Sequence, residues 1–405
     1  MKVAQDSATH WLILAFVMTL VNANAGWSFD NVDTHPRISE AALRVSSVDA
    51  RLKNELELEN GINTPLRAAS GQVLTGLQWL SRGSRLEDVP LCRASNHFHN
   101  PLRPFTTSGM SDVPPARLLC SGFVSNVTWG TQFTSPANRG PDPGNLFDWD
   151  GARRAYVAAL MLEAPAEREA SLARTFETLG HVGHLIQDVA VPAHARNDFL
   201  SHLEFSPTGL SPTHWVENSF ERFVRRNATL VDHATPLIPQ FSSQPLASFW
   251  DADKYDGRNP KTTVEHSFVG LAEYTNANFA SANTIFTESF APDDAHFFPY
   301  PRQSSTNVEA LVGQSFEVVR LVTSEDGQID RGLYISKVTD GEVINNFARA
   351  GYLTPAIIEN APPLSGAVLR LTLQLDDIVH ADYAAKLVPK AIGYSKALFD
   401  YFFRA

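Results

Sequence analysis

The stretch His184-Leu-Ile-Gln-Asp188-Val-Ala-Val-Pro192-Ala-His194 limits what this chain can fold into more than any other part of it. Four residues of helix return two side chains to one face, so a helix here sets His184 and Asp188 one above the other. The run before it, Glu169 to Gly183, contains no proline and many helix formers, which predicts that helix. Pro192 ends or kinks it, leaving His194 just beyond the break to point back across the helix end. An imidazole and a carboxylate on one face, with a second imidazole close by, can grip a divalent metal such as zinc. The pattern alone is common on solvated helices. Its weight comes from the residues elsewhere that match its chemistry.

Three further segments supply such residues. His35 stands at the start of an expected helix, with Thr34 as a plausible N-cap and Pro36 in the first turn. Glu87-Asp88-Val-Pro and His97-Phe-His99-Asn100-Pro bring two carboxylates and two imidazoles to one irregular stretch, where loops usually present functional groups. His214, Glu217 and Glu221 share a face of an expected helix over 213–226. At three to four ligands per ion, the four segments can serve two or three zinc ions.

The words around His184 are also familiar. Leu179-Gly-His181-Val-Gly-His184-Leu-Ile-Gln-Asp188, followed by Val191-Pro-Ala-His194-Ala-Arg-Asn197-Asp198, resembles the metal-binding helix of the bacterial zinc-dependent phospholipases C. That superfamily also holds the fungal single-strand nucleases. The order Trp27, His35, Asp88, His97, His184, Asp188, His194 looks like the family's order of ligands and covers about half of the chain, from Trp27 to Arg226. The resemblance implies a mostly α fold: a single large helical domain over 26–405, with long loops and a metal site built from 27–226. It also implies two or three Zn2+ ions and hydrolysis of a phosphodiester by a zinc-activated water, with Asp188 bridging two ions and Asp88 as both ligand and base. The substrate implied is a phospholipid, with transient contact at a membrane surface.

Two positions depart from the family. Its His-x-x-x-Glu pair is broken, because Asn218 stands four residues after His214; Glu217 comes one residue early and Glu221 one turn late. Spacing does not choose between them. Family ligation by the amino-terminal tryptophan needs Trp27 to be first, whereas Ala23-x-Ala25 favours cleavage before Gly26.

Composition and ends set the remaining bounds. Residues 11–21 form a short apolar run, preceded by Lys2 and followed by small residues. This is the layout of a signal peptide over 1–25, and it leads to the expectation of a secreted or periplasmic protein. The only two cysteines, Cys92 and Cys120, are then expected to form a disulfide. Asn126-Val-Thr and Asn227-Ala-Thr fit the glycosylation acceptor pattern. A formal net charge of −11 counts against a nucleic-acid track, so a zinc nuclease on the same site is the second reading. A non-catalytic secreted protein with structural zinc, whose 230–405 region binds a partner, is the third.

Periodicity predicts a helix from about Gln72, broken at Gly83-Ser84 into a loop. It predicts others over 150–162, 264–280, 307–322 and 380–403, the last kinked by Pro389. A long loop is expected over 100–144 and a small β-hairpin over 327–338. His181 reads as a core residue or one that supports a ligand. His99 could orient His97. His202, His233, His266, His296 and His380 read as surface or loop residues.

Overall fold

The structure is a computed structural model of the 405-residue chain. It describes residues 32–110, 123–131, 145–199, 218–240, 244–266, 268–282, 284–286, 297–298, 318–323, 329–337, 341–350 and 373–404. The signal-like segment, Trp27, Cys120, His202, His214, Glu217 and His296 lie outside the described residues. Among the described residues the fold is mostly helical, and no helix there is long and apolar enough to cross a membrane.

Helix α1 (Thr34–Arg44) and α2 (Val48–Glu55) lead through a short antiparallel pair, β1 (Pro65–Arg67) and β2 (Val73–Thr75), into α3 (Gly76–Leu86). Thr75 caps α3 and forms a reciprocal box with Gln78, which fixes where the helix begins. The expected start near Gln72 is therefore a strand. The expected break at Gly83-Ser84 is also absent, and the reason lies in packing. Helix α6 (Pro165–Asp188) crosses α3 so closely that a Cβ on Gly83 would come 1.8 Å from the Glu177 carbonyl oxygen. A Cβ on Gly180 would likewise come 2.0 Å from that of Leu80. These glycines let two backbones approach instead of ending a helix.

Helix α4 (Asn126–Thr131) and α5 (Trp149–Met161, capped by Asp148) precede α6, which takes Pro165 at its first turn. From Thr178 to Asp188 every residue of α6 is buried. A helix end buried all round must pair its polar groups internally, and this one carries His181, His184, Gln187 and Asp188. After it, Pro192 opens a single turn, α7 (Pro192–Ala195), that carries His194. Helix α8 (Ser219–Arg226) follows, then single helical turns at 229–232 and 262–265 and helix α9 (Leu271–Asn278). The helix expected over 264–280 is thus two pieces. Gly270 marks the gap, where a Cβ would meet the Trp250 carbonyl oxygen at 2.3 Å.

A short parallel pair, β3 (Ile285–Phe286) and β4 (Phe297–Phe298), is followed by a four-stranded antiparallel sheet. Its strands are β5 (Val318–Thr323), β6 (Ile329–Lys337), β7 (Ile344–Ala350) and β8 (Leu373–Gln374), in that order. The end of the helix expected over 307–322 is strand β5, whose VVRLVT favours extended backbone. The stretch expected as a hairpin is one continuous strand, β6, paired on both sides. The closing helix α10 (Asp377–Arg404) runs through Pro389, and its inner face packs on α1, α6, α8 and β7. Phe399, Tyr383 and Leu387 are among its core residues.

Candidate metal centre

Four elements meet at the buried end of α6. His35 comes from the first turn of α1 and Asp88 from just past the end of α3. His97 comes from the end of the 3-10 turn Leu91–Asn96, and His184 and Asp188 come from α6 itself. All five are buried.

The distances describe a cage. His97 Nδ1 lies 3.3 Å from Asp88 Oδ1 and 3.0 Å from Asp188 Oδ2. His184 Nε2 lies 3.6 Å from Asp88 Oδ2 and 3.5 Å from Asp188 Oδ2. On the other side of the same carboxylate, His35 Nε2 lies 3.3 Å from Asp188 Oδ1. Ligands about 2.1 Å from a tetrahedral ion stand roughly 3.4 Å from one another, so these separations are those of a ligand shell. Two groups, His35/His184/Asp188 and Asp88/His97/His184, could each hold a metal ion.

The outer contacts fix which ring nitrogen faces inward. His184 Nδ1 donates to the Ser84 carbonyl oxygen at 2.6 Å, so Nε2 turns its lone pair toward the two aspartates. His35 Nδ1 lies 2.8 Å from Gln187 Oε1, while Gln187 Nε2 donates to Ser39 Oγ and to Ser395 Oγ of α10. That amide orientation makes His35 Nδ1 the donor and again leaves Nε2 inward. Burial, together with the neighbouring His35, drives the His184 pKa well below its ordinary value. With Nδ1 of His35 and His184 committed outward, Nε2 lone pairs and carboxylate oxygens face each other at this range, acceptor against acceptor. A cation between them resolves the conflict.

In the metal-free protein His97 carries the positive charge that faces the two aspartates. Burial raises the Asp88 carboxyl to about 6, assisted by Asp188 and Glu87 and opposed by His97. Burial resists ionisation of Asp188 too, yet His184, His97 and His194 hold it well below the usual range. Burial opposes the charged form of His97, but Asp188 and Asp88 overcome it and raise that imidazole to about 10. Neither His97 ring nitrogen, nor either Asp188 oxygen, makes a hydrogen bond of good geometry.

A second locus lies beside the first. His194 Nδ1 is 3.2 Å from the His97 carbonyl oxygen, and His194 Nε2 is 3.5 Å from Glu221 Oε1. Burial lowers the His194 imidazole to about 4. The residue that broke the expected spacing now has a physical role: Asn218 is the N-cap of α8. Its side chain accepts from Phe220 N, and Glu221 Oε2 accepts from Asn218 N at 3.3 Å. Glu221, the late candidate of the pair, is therefore the one seen facing His194. His214, Glu217 and Trp27 fall outside the described residues, so their expected ligation does too.

Several expectations change. His99 does not touch His97 through its ring; it bonds Asp251 Oδ2 at 2.9 Å and the hydroxyls of Ser125 and Ser108 at 2.8 and 3.0 Å. His181 is buried, with Nδ1 on Glu87 Oε2 and its ring stacked on Phe147. His233 and His266 are exposed as expected, whereas His380 is buried in α10 beside Ser219 of α8. Asn126 is fully buried, its amide donating to the His97 and Leu185 carbonyl oxygens, so that acceptor pattern is structural. Glu87 and Gln187 are supporting residues that spacing did not single out, because their partners lie 94 and 152 positions away.

The mostly helical fold and these buried His and Asp clusters define a protein that could hold metal at the end of α6. No protein-family model, no curated protein and no solved structure matches the chain.

Proposed function

We propose that the chain is an exported zinc-dependent phosphodiester hydrolase of the phospholipase C kind. The observation that carries this reading is Asp188: one fully buried carboxylate with His97 and His184 nitrogens 3.0 and 3.5 Å from one oxygen, and a His35 nitrogen 3.3 Å from the other. A carboxylate so shared suits a bridge between two ions. Asp88, His97, His184 and Asp188 would hold one zinc; Asp188 and His35 would contribute to a second; His194 and Glu221 would contribute to a third. Bound zinc would supply Lewis-acid stabilisation of the phosphoryl oxygens and a lowered pKa for the attacking water.

The chain's own residues supply the rest. Asp88 reaches the centre from a different element than the α6 ligands, and burial leaves its carboxyl more basic than usual. It is the residue best suited to orient the attacking water and take its proton. Ser84, Gln187 and the His97 carbonyl hold three rings in register through their Nδ1 atoms, which preorganises the shell.

The test is metal analysis of the purified mature protein, followed by zinc-matched assays on phosphatidylcholine and single-stranded DNA. Two or three zinc ions per chain with headgroup release are expected. Stoichiometric zinc with cleavage of the DNA alone would move the assignment to the nuclease reading. Zinc with neither activity would leave a structural metal protein.

A further inference from the structure

Glu87 sits beside a ligand yet faces away from the two aspartates, and its contacts are unusual. It closes α3 with a fully buried side chain on which four side chains from three other elements converge. Oε2 accepts from Arg93 at 2.6 Å and from His181 Nδ1. Oε1 accepts from Trp129 Nε1 of α4 at 2.8 Å and lies 3.7 Å from His97 Nε2. Arg93 is itself locked, donating also to the Glu87 carbonyl oxygen at 3.0 Å and to Asn145 at 2.9 Å, with its guanidinium over the Trp129 ring. The carboxylate therefore has a fixed position and a fixed orientation.

That position matters because His97 is turned the other way from its neighbours. His35, His184 and His194 each direct Nδ1 to an oxygen outside the cage and Nε2 inward. His97 alone directs Nδ1 at Asp88 and Asp188, and its Nε2 toward Glu87. A ring with a carboxylate on its Nε2 side keeps the proton there and leaves the Nδ1 lone pair for a metal.

We propose that Glu87 is the positioning residue that makes His97 bind metal through Nδ1, and that His181, Arg93 and Trp129 serve to hold Glu87 for that task. This rests on the metal centre proposed above but not on the reaction assigned to it. Glu87 touches no reacting atom, so its effect is read in the metal rather than in turnover.

The experiment is long-range 15N–1H correlation spectroscopy of the zinc-loaded protein labelled at histidine, with a His97→Gln spectrum to assign the ring. Metal-bound Nδ1 with protonated Nε2 on His97, and the opposite pattern on His184, is the expected result. Zinc bound with His97 attached through Nε2 overturns this proposal alone. No zinc bound by the native protein overturns the metal centre itself. In parallel, Glu87→Gln is titrated with Co2+ against a competing chelator. A loss of 10- to 100-fold in affinity, with a changed visible spectrum, is expected. Folded Glu87→Gln with native affinity and spectrum contradicts the proposal. Should that variant fail to fold, the spectrum of the native protein still decides.

Discussion

Replacing Gly180 with Ala tests the link between the helix crossing and the metal centre. The new methyl carbon would stand 2.0 Å from the Leu80 carbonyl oxygen and 2.7 Å from the Ser84 amide nitrogen. Both are backbone atoms of α3, so no side chain can swing aside. Ordinary contact begins at 3.4 Å, which requires the helices to separate by 3.4 − 2.0 = 1.4 Å. The Ser84 carbonyl that holds His184 Nδ1 at 2.6 Å moves with α3, and Asp88 lies just beyond that helix. Overpacking of this kind costs about 1–3 kcal/mol, and loss of the Ser84 hydrogen bond about 0.5–1.5 kcal/mol more. Denaturant titration of the metal-free protein should therefore show a loss of about 2–4 kcal/mol. Chelator competition should show metal affinity falling roughly 10- to 100-fold. The control is Gly71→Ala: that residue has φ +87° and open space around it, so the change strains a distant turn by about 1–2 kcal/mol without touching α6. Native metal binding by Gly180→Ala, or equal weakening by Gly71→Ala, would refute any coupling between the helix crossing and the metal centre.

Further outcomes follow from the same geometry. Asp188→Asn removes the charge shared by His35, His97 and His184; phosphodiester cleavage should vanish and metal content should drop by about one ion or more per chain, and native turnover would refute the bridge. Asn218→Ala removes the cap of α8, costing about 1 kcal/mol in thermal unfolding, and loosens Glu221 opposite His194. Asn218→Ser should restore both. Chelation of bound zinc should lower stability by about 4 kcal/mol per site when free metal had been at a thousand times Kd, seen as a drop in Tm. In the metal-free protein His194 is depressed to about 4, so its contribution is present above 6.5 and is lost as pH falls through 4. His97 is raised to about 10, so its contribution is present below 6.5 and is lost as pH rises through 10. Denaturation midpoints across pH should decline on both sides. Zinc binding near pH 7 should also displace a proton from His97, and calorimetry in buffers of different ionisation enthalpy would count it.

The pieces legible in the sequence are those in which local spacing and chemistry coincide. His184 and Asp188 share a helical face because they stand one turn apart, and Pro192 announced the break that frees His194. What spacing could not carry is everything decided by a distant partner. Gly83 and Gly180 read locally as breakers or neutral residues, yet each exists for the other's helix, some hundred positions away. Asn218 read as a missing ligand when taken against a motif, and as a helix cap once Glu221 is seen to complete its box. The misread end of the helix expected over 307–322 has the same root, because the β-branched residues of 318–323 fit an apolar helical stripe until a neighbouring strand pairs with them. Glu87 shows the limit most sharply. Its nearest partner in sequence, Arg93, carries no spacing signal that separates it from Asp88, and the arrival of His181 and Trp129 from α6 and α4 completes the set that turns one carboxylate outward while its neighbour turns in. The pairing of His184 with Asp188 is thus legible locally, whereas the choice of Glu221 and the orientation of each ring belong to the assembled core.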